Sequence, residues 1–339
     1  MRWNIVRKSG KELMDMVKGT IYVEHLSKTF KKGNVQAVKD VSFAVEEGEF
    51  FAFLGPNGAG KSTTVQIVTT LISPSAGKVY VAEQDVLTNP KGVREHIGVA
   101  LQETGIDPSL TGREMLHLQC RIFGFTNQQA KLRTNELLEV VQLKEAADRI
   151  CGNYSGGMRR RLDLALTLVN KPKILFLDEP TTGLDPSNRK SIWDYLERLN
   201  KEEGTTIFLT TQYLEEADTL ADRISIIDDG EIVATGTPQE LKAQIGNDII
   251  AMTFGNEREA EKAKVAITQH MHGADTVKRS TELNIYVQDG TKRLMEIVRL
   301  LDQQNLTAQT INVNTPTLDD IFLKITAEGE QKRGEIEHG

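Results

Sequence analysis

The sequence predicts an α/β fold built on buried parallel strands, carrying an antiparallel β subdomain and a helical insertion and followed by a small α+β domain. Three stretches carry this expectation. Phe50-Phe51-Ala52-Phe53-Leu54 is an apolar run free of Gly and Pro; it leads into Gly55-Pro56-Asn57-Gly58-Ala59-Gly60-Lys61-Ser62, and residues 63–71 behind it read as a helix. Ile174-Leu175-Phe176-Leu177 is a continuous apolar run ending in Asp178-Glu179, as expected where a buried parallel strand delivers acids to the carboxyl edge of a sheet. From Ile249 the order is strand, helix, strand, strand, helix, strand, which is the ferredoxin-like pattern.

The eight residues from Gly55 fit the spacing Gly, any four residues, Gly-Lys-Ser of a phosphate-binding loop. Glycines leave backbone N–H groups free to face phosphate oxygens at a helix N-terminus, where the helix dipole favours an anion. Lys61 is placed to reach the β- and γ-phosphates, and Ser62 to offer its hydroxyl to Mg²⁺. A chain of 339 residues allows two domains, and a formal net charge of -7 argues against broad binding to nucleic acid phosphates. No apolar stretch approaches the roughly 20 residues that cross a bilayer, and the start lacks the apolar core of a signal peptide, so a cytosolic location is expected. Cys120 and Cys151 give neither a disulfide framework nor metal-ligand spacing and read as small buried thiols.

In chain order, residues 1–18 place Arg2, Arg7, Lys8, Lys11 and Lys18 among apolar residues. They can be drawn as a basic amphipathic helix on an anionic membrane, but read better as a frayed extension or as leader to a start at Met16. Strands are expected at 20–26 and 37–45. Phe30 between them offers a π-face for a purine, unless it belongs to the core. Residues 73–77 form a turn, 78–81 resume a strand, and 97–102 form another that ends on the amide of Gln102. From Glu103 to about Val169 the character is helical. Thr111-Gly112-Arg113-Glu114 is a capping box opening a helix over 113–123, and 126–143 sets Leu132, Leu137, Leu138 and Val141 on one face. Ser155-Gly156-Gly157 heads a helix running to Leu168 and offers backbone N–H groups and a hydroxyl to an anion; otherwise it is an ordinary N-cap followed by a solvated face of Arg159, Arg160 and Arg161. Residues 206–212 repeat the buried-strand design with Gln212 at the end, and 224–227 and 231–234 form a hairpin across Asp228-Asp229-Gly230.

The ordered set of phosphate loop, Gln102, Ser155-Gly156-Gly157, Asp178-Glu179 and Gly183-Leu184-Asp185 resembles the nucleotide-binding subunit of ABC transporters over residues 20 to about 240. Tyr-Ser-Gly-Gly-Met-Arg-Arg-Arg-Leu-Asp from Tyr154, Thr-Thr-Gln-Tyr-Leu-Glu-Glu-Ala-Asp from Thr210, and Pro316 through Leu323 are similar to export ATPases of the daunorubicin-resistance type. The resemblance implies a P-loop NTPase (ABC ATPase) core over 19–246, its helical subdomain at about 103–169, behind an extension at 1–18. A C-terminal α+β domain at 247–326, read as a dimerisation or regulatory module, and a disordered tail at 327–339 follow.

It further implies two copies arranged head to tail, each ATP held between the loop of one copy, Gly55 to Ser62 with Thr63, and Ser155-Gly156-Gly157 of the other. In that reading Phe30 stacks on adenine, Gln102 senses Mg²⁺ and the γ-phosphate, and Asp178 supports the metal through water. Glu179 polarises the attacking water beside Lys61, and Asp185 contacts the second copy. A separate integral-membrane permease docks beside Gln102 and residues 103–110, which puts the chain at the cytoplasmic face of the membrane as the peripheral motor of drug-like or lipid-like export. Gln212 stands where most of the family has histidine; its amide donates a hydrogen bond but takes up no proton. Tyr154 and Met158 replace the more usual leucine and glutamine around an intact Ser-Gly-Gly. The alternative is a soluble ABC ATPase working on ribosomes or DNA, against which the single cassette and the lack of a long coiled-coil insertion argue.

Overall fold

The computed structural model describes residues 21–31, 33–102, 105–243, 248–271, 275–287, 289–314 and 317–320. The extension at 1–18, residues 315–316, the rest of the motif Pro316 through Leu323 beyond 320 and the tail at 327–339 lie outside the described residues. The chain divides into two compact units after Thr235.

The first unit runs β1 (Ile21–Phe30), β2 (Val35–Val45), β3 (Phe50–Leu54), α1 (Lys61–Val68), β4 (Ala76–Val81), β5 (Gln84–Asp85), α2 (Pro90–His96) and β6 (Ile97–Ala100). It continues with α3 (Gly112–Ile122), α4 (Asn127–Val140), α5 (Gly156–Thr167), β7 (Ile174–Asp178), α6 (Pro186–Glu203), β8 (Thr206–Thr211), α7 (Leu214–Leu220), β9 (Arg223–Asp228) and β10 (Glu231–Gly236). The ten strands form one sheet in the order β5-β4-β1-β2-β10-β9-β3-β8-β7-β6. β9, β3, β8, β7 and β6 run parallel, whereas β1 pairs antiparallel with β2 and β4. The parallel register aligns Leu54 with Thr211 and Asp178 with Thr210, so the segments leaving β3, β7 and β8 emerge at one edge of the sheet.

Strand periodicity divides the core between the two faces of this sheet. Ile174, Phe176, Phe51, Phe53 and Phe208 belong to the cluster that also takes Val65, Ile67 and Val68 of α1. Leu175, Leu177, Ile207 and Leu209 join the helical insertion and α6. On the first face Phe43, Phe51, Phe53, Phe176 and Phe208 interlock with ring centroids 5.4–5.7 Å apart. Burial of each such ring stabilises by roughly 1.5–3 kcal/mol. This core fixes the strands whose ends carry the site.

Local chemistry explains most helix limits. Thr111 and Glu114 form the expected capping box, and Thr126 with Gln129 forms a second one that opens α4. α1 stops at Val68, short of Leu71, because Thr70 adopts a left-handed backbone and the Leu71 N–H turns back to the Gln66 carbonyl. Residues 105–110 form loop and turn, not helix. α4 ends at Val140, and its buried stripe is Ala130, Thr134, Leu137 and Leu138; Leu132 lies off that stripe and is 66% exposed. α2, α6 and α7 have no separate place in the sequence reading. Asp229 and Gly230, both left-handed, turn the chain between β9 and β10.

The second unit contains α8 (Pro238–Ala243), β11 (Asp248–Thr253), α9 (Glu257–His270), β12 (Asp275–Arg279), β13 (Glu282–Val287), α10 (Gly290–Gln303) and β14 (Thr310–Asn314). Its sheet order β12-β13-β11-β14, antiparallel throughout, is the ferredoxin-like arrangement. Ile250, Met252, Leu283 and Ile285 pack against Ala260, Ala263 and Ile267 of α9 and Ile297 and Leu301 of α10.

Candidate functional site

The Gly-rich loop leaves β3 under close steric control. A Cβ at Gly55 would lie 2.3 Å from the Ile227 carbonyl oxygen, and one at Gly60 2.5 Å from that of Ala37, so β9 and β2 approach too closely for any side chain there. Gly60 also has φ +108 and is the N-cap of α1, where no side chain caps the helix. The first-turn N–H groups of α1 therefore stay available to an anion. Lys61 turns back into the loop: its ammonium donates to the carbonyls of Gly55 (2.8 Å) and Pro56 (3.1 Å) and lies 3.3 Å from Glu179 Oε1. Ser62 Oγ donates to Asp178 Oδ1 at 3.2 Å, and the Thr210 hydroxyl donates to the same oxygen.

Asp178 closes β7, and Glu179 follows it with φ +50, a left-handed backbone unusual for a side chain of this size. The Glu179 N–H donates to the Thr210 carbonyl at 3.0 Å, and Thr182 Oγ1 donates to Glu179 Oε2 at 3.4 Å. Lys61, Asp178 and Glu179 are all buried, so one ammonium and two carboxylates face each other in a weakly solvated place where charge interactions are strong. Four of the sequence-predicted residues thus converge: Lys61, Ser62, Asp178 and Glu179. Thr210 and Thr182 complete the cluster; Thr210 opens the Thr-Thr-Gln-Tyr stretch quoted above without a role of its own there, and the sequence reading gave Thr182 none.

The remaining candidates occupy the surroundings. β6 ends at Ala100, two residues earlier than the sequence reading, and Gln102 sits exposed in the bend that follows, next to β7 in the sheet. Gln212 is half-buried just past β8. Phe30 is not a core residue: it ends β1 at 38% exposure with the Lys28 ammonium 5.3 Å from its ring centroid.

Ser155 and Gly156 are exposed at the head of α5, where Ser155 Oγ accepts the Met158 N–H. Gly157 fits against Asn188, which a Cβ would meet at 2.7 Å. Asp185 caps α6, accepting the N–H groups of Ser187 and Asn188 and the Asn188 side-chain amide. Among the described residues no hydrogen bond or ion pair links Ser155, Gly156 or Asp185 to the loop 55–62 of the same chain. Tyr154 and Met158 have their own local partners. The Tyr154 hydroxyl donates to the Ala146 carbonyl at 2.7 Å and lies against Gly112, where only a glycine leaves room for it. Arg149 reaches both the Met158 sulfur and the Tyr154 ring.

The alternative of a solvated face of three arginines fails at one of them. Arg159 is exposed and Arg161 half-buried, but Arg160 is 6% exposed and so does not belong to a solvated face. Helical spacing turns it with Gly157 and Leu164 toward the sheet, where Asp163 Oδ2 lies 3.0 Å away. An aspartate three residues on was the sequence signal for this pair. Burial pushes the Asp163 carboxyl up to about 6, against the downward pull of Arg160 and of the Gly105 N–H. Behind the site, Glu216 of α7 is buried, accepts from the Thr181 hydroxyl and the Trp193 indole, and is likewise raised by burial.

The ABC transporter family pattern matches residues 38–182, and that of the C-terminal domain of DrrA1-3-like ATP-binding proteins matches 236–326. The chain is 41% identical over 311 residues to the doxorubicin resistance ATP-binding protein DrrA of Mycobacterium tuberculosis, covering 91% of this chain and 94% of that protein. It is 42% identical over 296 residues to the daunorubicin resistance ATP-binding protein DrrA2 of Streptomyces coeruleorubidus, covering 87% and 91%. Among solved structures, a dimeric post-hydrolysis state of an ATP-binding cassette bound to ADP and Pi is similar with a TM-score of 0.60 and 30% identity, over 64% of this chain and 98% of that one.

Proposed function

The chain belongs to the ATP-binding subunits of ABC transporters, in the daunorubicin- and doxorubicin-resistance group, and on that premise we propose how its residues divide the work of ATP-driven export. It is an ATPase. The observation that carries the assignment of its site is the convergence of Lys61, Ser62, Asp178 and Glu179 where β3 and β7 leave the sheet.

In this reading the loop from Gly55 to Thr63 cradles the phosphates with backbone N–H groups, and Lys61 exchanges its carbonyl partners for the β- and γ-phosphates. Phosphoryl transfer needs positioning and charge neutralisation more than covalent chemistry. Ser62 and Asp178 present oxygen donors 3.2 Å apart, a set that suits Mg²⁺, with Gln102 as a further partner. The ion, when bound, neutralises charge on the phosphates. Glu179 orients and polarises the attacking water, and Gln212 donates its amide to the γ-phosphate side. Phe30 stacks on adenine. Ser155, Gly156 and Gly157 face the nucleotide of a second copy, with Asp185 at the same junction; the exposure of Ser155, Gly156 and Asp185, and the absence among the described residues of a bond from them to the loop of their own chain, support a head-to-tail pair.

No helix among the described residues is long and apolar enough to cross a membrane, which fits a motor that acts on a separate permease at the cytoplasmic face. The described residues 105–110 are the part of the expected coupling segment open to such a permease, and the exposed Leu118, Ile122 and Phe123 along and just past α3 offer it apolar side chains. A drug-like or lipid-like cargo is consistent with the relatives. Affinity purification of the tagged chain from detergent-solubilised membranes of its host tests this reading. A stoichiometric polytopic protein is expected in the eluate; ribosomal or DNA-bound proteins in its place would overturn it.

A further inference from the structure

We propose that Arg160 is a positioning residue for hydrolysis, holding the backbone on both sides of Glu179 and just before Gln102, and tying the helix that starts at Ser155 to the hydrolytic edge of the sheet. The inference rests on the reading of Glu179 given above. Arg160 Nη2 donates to the Asp178 carbonyl at 3.1 Å and Nε to the Pro180 carbonyl at 2.8 Å, so one guanidinium holds the peptide group that leads into Glu179 and the one that follows Pro180. Nη1 donates to the Leu101 carbonyl at 2.6 Å, immediately ahead of Gln102, and to Asp163 Oδ2 at 3.0 Å. Three segments distant in sequence thus meet on one planar fork, a pattern that only arginine can serve.

Two observations give this fork its purpose. Glu179 has φ +50, a conformation that persists in a non-glycine residue only where the surroundings fix it. Rotating the Asp178–Glu179 peptide to relax it breaks the hydrogen bond from Arg160 to the Asp178 carbonyl, while the bond to the Pro180 carbonyl anchors the chain just beyond. Second, the pair Arg160–Asp163 is nearly buried, and a buried ion pair adds little stability over apolar residues of the same volume. What the pair supplies is geometry. Because α5 also begins at Ser155-Gly156-Gly157, any displacement of that helix reaches the carbonyls around Glu179 and Gln102 through a single side chain.

The test is steady-state ATP hydrolysis by the full chain, with binding of the fluorescent analogue mant-ATP and thermal melting measured alongside. Arg160→Lys keeps the charge opposite Asp163 but cannot bridge three carbonyls; kcat is expected to fall about 10- to 100-fold, with mant-ATP affinity within about twofold of the parent. An unchanged kcat in this variant overturns the proposal. The double variant Arg160→Met with Asp163→Leu removes both charges and is expected to melt near the parent while kcat stays low. Recovery of kcat together with the melting temperature would mean that the pair serves stability alone, and the proposal fails. If this double variant does not fold, Arg160→Lys decides.

In a Glu179→Gln background, Arg160→Lys is expected to cost far less than in the parent, because only the part of its effect that passes through Gln102 remains; the full loss of about 10- to 100-fold repeated there overturns the proposal. A fully active Glu179→Gln removes the reading of Glu179 and the proposal with it. An inactive Glu179→Gln beside a fully active Arg160→Lys removes the proposal only.

Discussion

The Gly55–Ser62 loop and the Ser155-Gly156-Gly157 stretch are both glycine-rich starts of helices, yet the fold treats them in opposite ways. Around the loop the charged side chains are buried and answered within the chain: Lys61 by two carbonyls and Glu179, Asp178 by Ser62 and Thr210. At the second site Ser155 and Gly156 are exposed, and Asp185 spends its oxygens on capping its own helix. The first is a cluster closed within one core. The second has the character of half a contact, and in the head-to-tail arrangement proposed above it is finished by a second copy.

The sharpest way to break this comparison is to damage each half in a different copy. Lys61→Ala and Ser155→Arg are each expected to abolish phosphate release when assayed alone. Mixed in equal amounts they should regain activity, up to roughly a quarter of the parent rate, because half of the pairs are then mixed and each of these keeps one intact composite site. No rescue at any mixing ratio would make the two halves parts of one chain's site, or of no common site.

Next in size is Gln212, which belongs to the inner half, leaving β8 half-buried at the edge shared with β7. If its amide is a hydrogen-bond donor toward the γ-phosphate, Gln212→Ala lowers kcat on the order of 100-fold, whereas Gln212→His, which keeps an N–H donor, stays within about threefold. Hydrolysis at the parent rate in the alanine variant would take Gln212 out of the site.

Two glycines turn the same contrast into a stability measurement. Gly60→Ala forces a methyl to within 2.5 Å of the Ala37 carbonyl at φ +108, and is expected to cost about 1–3 kcal/mol in urea unfolding. Gly156→Ala meets nothing within 4 Å and should change stability by less than about 0.5 kcal/mol while still slowing hydrolysis. Equal unfolding costs would mean that the second helix start is as enclosed as the first.

Legibility in the sequence follows the same division. Short-range chemistry was readable: the loop, the capping box at Thr111, the apolar strands and their terminal acids all depend on neighbours along the chain, and the structure has them where the pattern put them. The βαββαβ order of the C-terminal unit was readable for the same reason, since alternation and turns set it locally. What escaped depends on pairs brought together by the sheet. Thr210 meets Asp178 only through the register of β8 on β7, and Arg160 looks like one of three solvated arginines until the helix turns it inward onto the carbonyls of Leu101, Asp178 and Pro180. Leu132 erred the other way: apolar and in a helix, but off the buried stripe.

The smallest effect concerns Phe30, which sits between the two categories. It is aromatic like the five rings locked together across β2, β3, β7 and β8, but it contributes little to that core, being 38% exposed and in contact with a lysine ammonium. Removing it should therefore leave the unfolding midpoint nearly unchanged, in contrast to the roughly 3–5 kcal/mol expected for truncating a ring in the buried cluster. If its face serves as a platform for the base, Phe30→Ala weakens ATP binding by about 1 kcal/mol, and Phe30→Tyr restores it. Calorimetry with inorganic tripolyphosphate separates this from an indirect effect on the loop. In the proposed site the triphosphate group alone would meet the Gly55–Ser62 loop and no aromatic face, so its affinity should not change in Phe30→Ala. Equal weakening of ATP and tripolyphosphate would place the effect in the phosphate loop, and no weakening of either would leave Phe30 as an exposed ring at the end of a strand.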